Sequence, residues 1–292
     1  MSSNHRLALG TVQFGMPYGI ANQSGQVRPA EVSALLDCAA ARGLDTLDTA
    51  IAYGESESRL GRAGVRNWKI VSKLPVMPEG TIDVAAWANR LVDGSLERLR
   101  IPRLASLLLH SSRQLSGPHG PALYEALCAL KARGAVEKIG VSIYDPEELD
   151  AIWTQFRPDV VQAPFNVIDR RLVTSGWLDR LNAAGVEVHV RSVFLQGLLL
   201  MDASARPAFF DRWGSIWDEW ACWLKESKTT PLQACLSLAL SKSGVNRVIV
   251  GVDSLGQLLE IIATAEAVGL LAPMSLASDD PELINPSKWS LR

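Results

Sequence analysis

A chain of 292 residues is long enough for one large α/β domain or two ordinary ones, and its 48% hydrophobic and 21% charged residues are the balance of a folded, soluble protein. Twenty-nine basic against 31 acidic residues leave a net charge of −2, with no long run of one sign, so a small molecule is the expected partner and nucleic acid or an anionic membrane is not. The opening Met1-Ser2-Ser3-Asn4-His5-Arg6 lacks the basic-then-apolar pattern of a signal peptide, and no apolar run approaches the ~18 residues of a membrane helix, which makes a cytoplasmic address the expectation.

Strand-like and helix-like segments alternate along the whole chain. Leu7 to Gly10 reads as a buried strand, and Pro29 to Ala41 as an amphipathic helix stopped by Gly43. Thr46 to Asp48 and Lys69 to Leu74 are the next strands, followed by a helix over Val84 to Leu99 and a strand over Leu104 to His110. Ala122 to Arg133 is a helix closed by Gly134, then comes a strand over Lys138 to Ser142, and Asp145-Pro146 opens a helix over Pro146 to Phe156. The strand Val160 to Ala163, the helix Arg171 to Ala184 closed by Gly185, and the strand Glu187 to Ser192 follow. Thr230-Pro231 opens a helix over Leu232 to Ser241, and the pattern ends with a strand over Arg247 to Val250 and a helix over Leu255 to Ala267.

Eight strands alternating with helices admit a closed (β/α)8 TIM barrel or a doubly wound open sheet. No G-x-G-x-x-G follows any strand and no G-x-x-x-x-G-K-[ST] occurs, so the barrel is the expectation, as one domain spanning 1–292. A long loop or extra helix is expected at about 195–229 and a C-terminal tail at about 268–292. Trp213, Trp217, Trp220 and Trp223 recur at roughly helical spacing, which fits an extra helix packed on the barrel, with a wall of the substrate pocket as the other reading. Cys38, Cys128, Cys222 and Cys235 form no CxxC pair and have no histidine at zinc-finger spacing, so they imply neither a metal site nor a disulfide framework and are expected as buried apolar fillers.

Three strands end in a titratable group: Asp48, Lys73 and His110, with Tyr53 just past the first of them. A buried strand tolerates a charge only where it leaves the core, so these ends point to one shared face, the C-terminal face on which barrel enzymes build their chemistry. Singly, each has a plain structural explanation: Asp48 as a turn cap, Tyr53 as a surface phenol, Lys73 as a snorkelling strand end, His110 as a core histidine. Together they make a chemical set, with a phenol to donate a proton, an ammonium to favour the phenolate, a carboxylate to hold the ammonium and an imidazole to bind an oxygen.

The run Asp48-Thr49-Ala50-Ile51-Ala52-Tyr53-Gly54-Glu55-Ser56-Glu57-Ser58-Arg59-Leu60-Gly61 resembles the D-T-A-x-x-Y-G-x-S-E-x-x-L-G motif of the aldo-keto reductases, NAD(P)H-dependent carbonyl reductases on a (β/α)8 barrel. Leu9-Gly10-Thr11 with Phe14-Gly15, Ser72-Lys73, His110, Ile139-Gly140-Val141-Ser142, Val161-Gln162 with Asn166, and Ser192 with Gly197-Leu198 extend the likeness over about residues 6 to 267. The resemblance implies that Tyr53 is the general acid, that Lys73 lowers its pKa, that Asp48 pairs with Lys73 and that His110 orients the carbonyl of an aldehyde, ketone or sugar. It also implies a cofactor, NADP(H) with NAD(H) as an option. Thr11, Ser142, Gln162, Arg191, Ser192 and Gly197 would lie on the nicotinamide side. Gly251, Asp253, Ser254, Gln257 and Glu260 would lie at the helix N-terminus that takes the adenosine phosphates.

Three departures stand out. Ile143 replaces an asparagine that contacts the nicotinamide carboxamide, Arg191 replaces the tyrosine that stacks on the ring, and Gly251 and Gln257 stand where many members place a cation for the 2′-phosphate. Asp253 reads either as a helix-start residue or as an acceptor for a free ribose hydroxyl. A non-catalytic nucleotide-binding regulatory or interaction subunit and a Schiff-base lyase or isomerase using Lys73 are the competing functions. The substrate and the oligomeric state are not legible.

Overall fold

The computed structural model describes residues 3–267 and 269–290. Eight strands close into a barrel in which each pairs in parallel with its sequence neighbours: β1 (Leu7–Gly10), β2 (Thr46–Asp48), β3 (Lys69–Leu74), β4 (Leu104–Leu109), β5 (Val136–Ser142), β6 (Val160–Pro164), β7 (Glu187–Arg191) and β8 (Arg247–Gly251). The last returns to the first through Gly10 opposite Gly251. Helices α1 (Pro29–Ala41), α2 (Ser56–Ala63), α3 (Val84–Leu99), α4 (Gly120–Ala132), α5 (Glu147–Ile152) and α6 (Trp177–Ala183) follow the first six strands in turn. An added α7 (Gly214–Ser227) precedes α8 (Pro231–Ser241), and α9 (Leu255–Ala265) follows the last strand. This is the (β/α)8 architecture that the alternation implies.

Side chains alternate between the two faces of each strand, and this sorts the core. Leu7, Leu9, Ile70, Leu107, Leu109, Val161 and Val188 belong to one continuous apolar cluster shared with the helices. Val71, Leu108 and Val160 form a separate small cluster. Those three are contributed by β3, β4 and β6, and two residues further along the chain stand Lys73 and Gln162 on the same strands and His110 just past the end of β4. The inner face thus changes from apolar plug to polar groups within one layer, at the C-terminal end of the strands.

Several sequence expectations need correction. The predicted strand to His110 stops at Leu109 and the one to Ser192 stops at Arg191, because Ser192 turns to φ +57 and leaves the ladder. The single helix expected over Arg171 to Ala184 is broken: one turn at Arg171–Thr174 and then α6, separated by Gly176 at φ +77. The helix expected to Phe156 ends at Ile152. Of the cysteines only Cys235 is buried; Cys128 and Cys222 are exposed and Cys38 is intermediate, since their helices turn those positions outward.

The tryptophan-rich segment is packing. Trp217 and Trp220 are buried faces of α7, and Trp217 donates Nε1–H to the Phe210 carbonyl at 2.9 Å. Trp213 donates to the Asp280 carboxylate at 3.0 Å, and Trp289 meets Phe210 edge-on at 5.0 Å. The segment expected as a tail is thereby fastened, through Asp280 and Trp289, onto the stretch that leads into α7.

Two glycines bring the Tyr53 turn down onto the barrel rim. A Cβ on Gly15 would stand 1.7 Å from the Tyr53 carbonyl oxygen, and one on Gly54, already at φ +54, would stand 2.5 Å from the Gly15 carbonyl oxygen. The two backbones therefore touch with no room for a side chain between them, which accounts for the glycines in Phe14-Gly15 and Tyr53-Gly54. Gly64 sits at φ +89 with nothing within 4 Å of its added Cβ. Gly15→Ala is expected to cost about 3 kcal/mol in denaturant unfolding by overpacking, and Gly64→Ala only about 1 kcal/mol of backbone strain. The reverse order would contradict the contact.

Candidate active site

Lys73 and Asp48 are almost wholly buried and bonded, Nζ to Oδ2 at 2.6 Å. Lys73 also donates to the Thr49 carbonyl at 2.9 Å. Burial pulls the ammonium below its ordinary pKa, and the Asp48 carboxylate opposes that pull. The second Asp48 oxygen accepts from Gln162 Nε2 at 2.7 Å. A carboxylate only accepts, so this bond fixes which end of the amide is which. Gln162 Oε1 is left buried and without a partner among the described residues.

Tyr53 lies beside this pair, its ring centroid 5.1 Å from Lys73 Nζ and 5.8 Å from the His110 ring, which it meets edge-on. Burial, and then the Asp48 carboxylate, push the phenol well above its ordinary pKa; the Arg191 guanidinium pulls it back. His110 goes the other way. Burial, then the charges of Lys73 and Arg191, lower it to about 4, so the imidazole is neutral near pH 7 and can hydrogen-bond an oxygen without itself being the acid.

These groups form one wall of a cavity of about 1000 Å³ at the C-terminal end of the strands. Asp48, Tyr53, Lys73 and His110 all line it. So do Thr11, Ser142, Gln162, Arg191, Ser192 and Gly197, and further along Gly251, Asp253, Gln257 and Glu260. Ser254 does not line it. Its hydroxyl is the N-cap of α9, accepting from the Gln257 amide at 3.3 Å. Asp253 is thus not the cap; its carboxylate accepts from Nδ2 of Asn22, another lining residue, at 2.9 Å. Thr11 spends its hydroxyl on the Asp48 carbonyl at 3.0 Å and accepts from Ser56, so it braces β1 against β2 from the cavity edge. Arg191 makes no ion pair among the described residues, which removes the rim salt bridge as its explanation. It donates to the Ile143 carbonyl at 2.9 Å and to Ser192 Oγ at 3.1 Å, and lies over the Tyr144 ring at 4.5 Å.

The cavity suits a nicotinamide dinucleotide on two observations. The buried Gln162 Oε1 faces no protein donor and can accept from a carboxamide, as Ser142 beside it on β5 can. At the other end a Cβ on Gly251 would stand 2.6 Å from Gln13 Nε2, so the glycine keeps that floor low, and the N-terminus of α9 opens next to it with the amide dipoles that favour phosphate. No Lys or Arg lines that end; Lys73 and Arg191 are the cations among the described lining residues. Arg247 bonds Thr46 and Asp45 at the start of β8, at the opposite end of the barrel, so it supplies no clamp there.

Sequence reasoning missed Gln13, Tyr18, Asn22, Tyr144 and Gln196, all of which line the cavity. Each follows the end of a strand, in loops whose path the periodicity does not report. A position on the strand-to-helix side of the barrel was the available signal. The loop after β7 is also strained, with Ser192, Leu195 and Gln196 at φ between 48 and 57°, and Asn166 holds it by donating to the Ser192 carbonyl at 3.0 Å.

A model of the aldo/keto reductase family matches residues 6–274. No curated protein matches the chain. Among solved structures, PA4992 from Pseudomonas aeruginosa, provisionally named an aldo-keto reductase, is 27% identical with 89% of each chain covered and a TM-score of 0.66. The aldo-keto reductase AKR11C1 from Bacillus halodurans, in its holo form, is 20% identical over 97% of this chain and 95% of that one, with a TM-score of 0.75. An aldo/keto reductase from Klebsiella pneumoniae in complex with NADP and acetate is 21% identical over 90% and 86%, with a TM-score of 0.65. The extent of the family match, together with the barrel and its rim, leads to one conclusion: the chain belongs to the aldo/keto reductase family of oxidoreductases.

Proposed function

We propose that this enzyme reduces the carbonyl of an aldehyde, ketone or sugar to the alcohol, with Tyr53 as the proton donor. The observation that carries the reading is the convergence of Tyr53 and His110 over the buried Lys73–Asp48 pair, inside a cavity whose buried Gln162 oxygen suits a nicotinamide carboxamide. NADP(H) is the family's cofactor, and one of the similar structures carries NADP. When bound, the nicotinamide supplies the hydride. Ser142, Gln162 and Arg191 would hold its ring end, and Gly251, Asp253 and Gln257 its adenosine end. The absence of a Lys or Arg among the described residues lining that second end favours tolerance of NAD(H).

The chain's own part is to orient an oxygen and deliver a proton to it. His110, neutral through burial, donates a hydrogen bond to the carbonyl oxygen and polarises it. Tyr53 gives its phenolic proton to that oxygen as negative charge develops there. The phenolate left behind is stabilised by the nearby Lys73 ammonium and the Arg191 guanidinium. Lys73 is positioned for this by Asp48, and because both its bonds run to β2 and the segment after it, its ammonium is committed to a charged role rather than to attack on a carbonyl.

Tyr53→Phe is expected to leave cofactor titrations nearly unchanged while lowering turnover about a hundredfold or more across a panel of aldehydes, ketones and aldoses. Retention of most of the activity would remove Tyr53 from this role. The pH profile is a second test. With His110 lowered to about 4, the imidazole has no proton to gain until the solution is strongly acidic. With the phenol raised, Tyr53 keeps its proton into alkaline solution. The kcat/KM for reduction should therefore stay flat between about pH 5 and 9. An inflection near the ordinary histidine value of 6.5 that disappears in His110→Ala would contradict the neutral-imidazole assignment.

A further inference from the structure

Among the described residues, the reacting end of the cavity carries one cation that no carboxylate neutralises. Lys73 and Asp48 cancel each other. Asp145, next along the chain from Tyr144, is taken by Arg171 at 2.5 Å, and Asp169 is taken by the same guanidinium at 2.9 Å. Arg191 is left with neutral partners: the Ile143 carbonyl, Ser192 Oγ and the face of Tyr144. Its charge is nonetheless felt throughout the site, since it lowers the pKa of Tyr53, His110, Lys73 and Tyr18 alike.

Position gives this charge a target. The bond from Arg191 to Ile143 runs from the end of β7 to the residue after β5, across β6, the strand that carries Gln162. Ser142 and Gln162 are register partners on β5 and β6, and Pro164 pairs with Arg191 on β7. The flat guanidinium is therefore held at the ends of the strands that flank β6, lining the same cavity as the Gln162 acceptor that suits a carboxamide. Ile143 supplies only its backbone oxygen here, and that oxygen is what holds the guanidinium.

Resting on the cofactor reading given above, we propose that Arg191 makes the site select the reduced, uncharged nicotinamide over the oxidised, cationic one. A planar guanidinium offers either ring the same stacking surface. The oxidised ring carries a unit positive charge, however, and in a partly buried site two like charges at stacking distance repel strongly enough to weaken binding by about tenfold or more. An uncharged aromatic residue in this position would stack without that discrimination. The consequence is a site that loads reduced cofactor from a mixed pool and releases the oxidised form readily.

The test is equilibrium binding to the wild type, Arg191→Met and Arg191→Lys, by calorimetry and nucleotide fluorescence. The probes are NADPH with NADP⁺, NADH with NAD⁺, and adenosine 2′,5′-bisphosphate, which lacks the nicotinamide. The wild type should favour the reduced member of both pairs by about tenfold or more. Arg191→Met should bring that ratio close to one by gaining affinity for the oxidised forms, and Arg191→Lys, which keeps the charge and loses the plane, should retain it. The bisphosphate should bind all three proteins equally. An unchanged ratio in Arg191→Met, with bisphosphate binding intact, would overturn the proposal and leave the cofactor reading standing. Failure of the wild type to bind any dinucleotide would overturn both.

Discussion

Everything at the rim of this barrel depends on an ammonium that is almost wholly buried. Lys73 is 1% exposed, and an uncompensated charge at such depth costs several kcal/mol even after relaxation. It is tolerated because the Asp48 carboxylate faces it at 2.6 Å and the Thr49 carbonyl takes a second of its protons. That arrangement needs β2 and β3 in register side by side, with both side chains inward, which the closed parallel sheet provides through Asp48 opposite Val71. Behind β3, Ser72 points the other way and donates to Glu57, which also accepts from Ser95 and from both Arg98 donors. The strand carrying the lysine is thus pinned to α2 and α3 by a second buried carboxylate.

From the ion pair the electrostatics of the site follow in order. Asp48 uses its free oxygen to orient Gln162, and the orientation leaves an acceptor facing the cavity. The cations nearby, added to burial, keep His110 neutral. Tyr53, pushed up by burial and by Asp48, holds its proton until a developing negative charge beside it makes release favourable. Arg191 adds a further charge that lines the same cavity, and Tyr53 feels it as well as that of Asp48. Two titratable groups are driven in opposite directions by one environment, a pattern that separates a proton donor from a hydrogen-bond donor.

Much of this was legible in the sequence, for reasons that can be named. Short apolar runs ending in Asp48, Lys73 and His110 mark places where buried strands leave the core, and barrel closure sends all such ends to one face. The fixed spacing of Asp48, Tyr53, Gly54, Glu57 and Gly61 was visible as a motif, but its meaning was not. Only coordinates show Gly54 against Gly15, Glu57 as a four-donor acceptor, and Gly61 with the Arg98 carbonyl 2.0 Å from where its Cβ would be. Helix α2 went unread because Ser56, Glu57, Ser58 and Arg59 present no apolar stripe; its buried face is largely polar. Asp253 and Ser254 could not be told apart as caps by residue type, since both are good N-cap residues and only backbone geometry separates them. Tyr18, Asn22 and Gln196 meet through loop tips far apart in sequence, and no periodicity records such a meeting.

The central claim is that Lys73 and Asp48 act as one unit on Tyr53, and a double-mutant cycle on turnover tests it most directly. Lys73→Met should remove nearly all activity, Asp48→Asn should remove less because the lysine remains, and the double variant should be no worse than Lys73→Met alone, as groups that act together are not additive. If instead the two losses multiply in the double variant, the residues act independently and the buried pair is not what readies Tyr53.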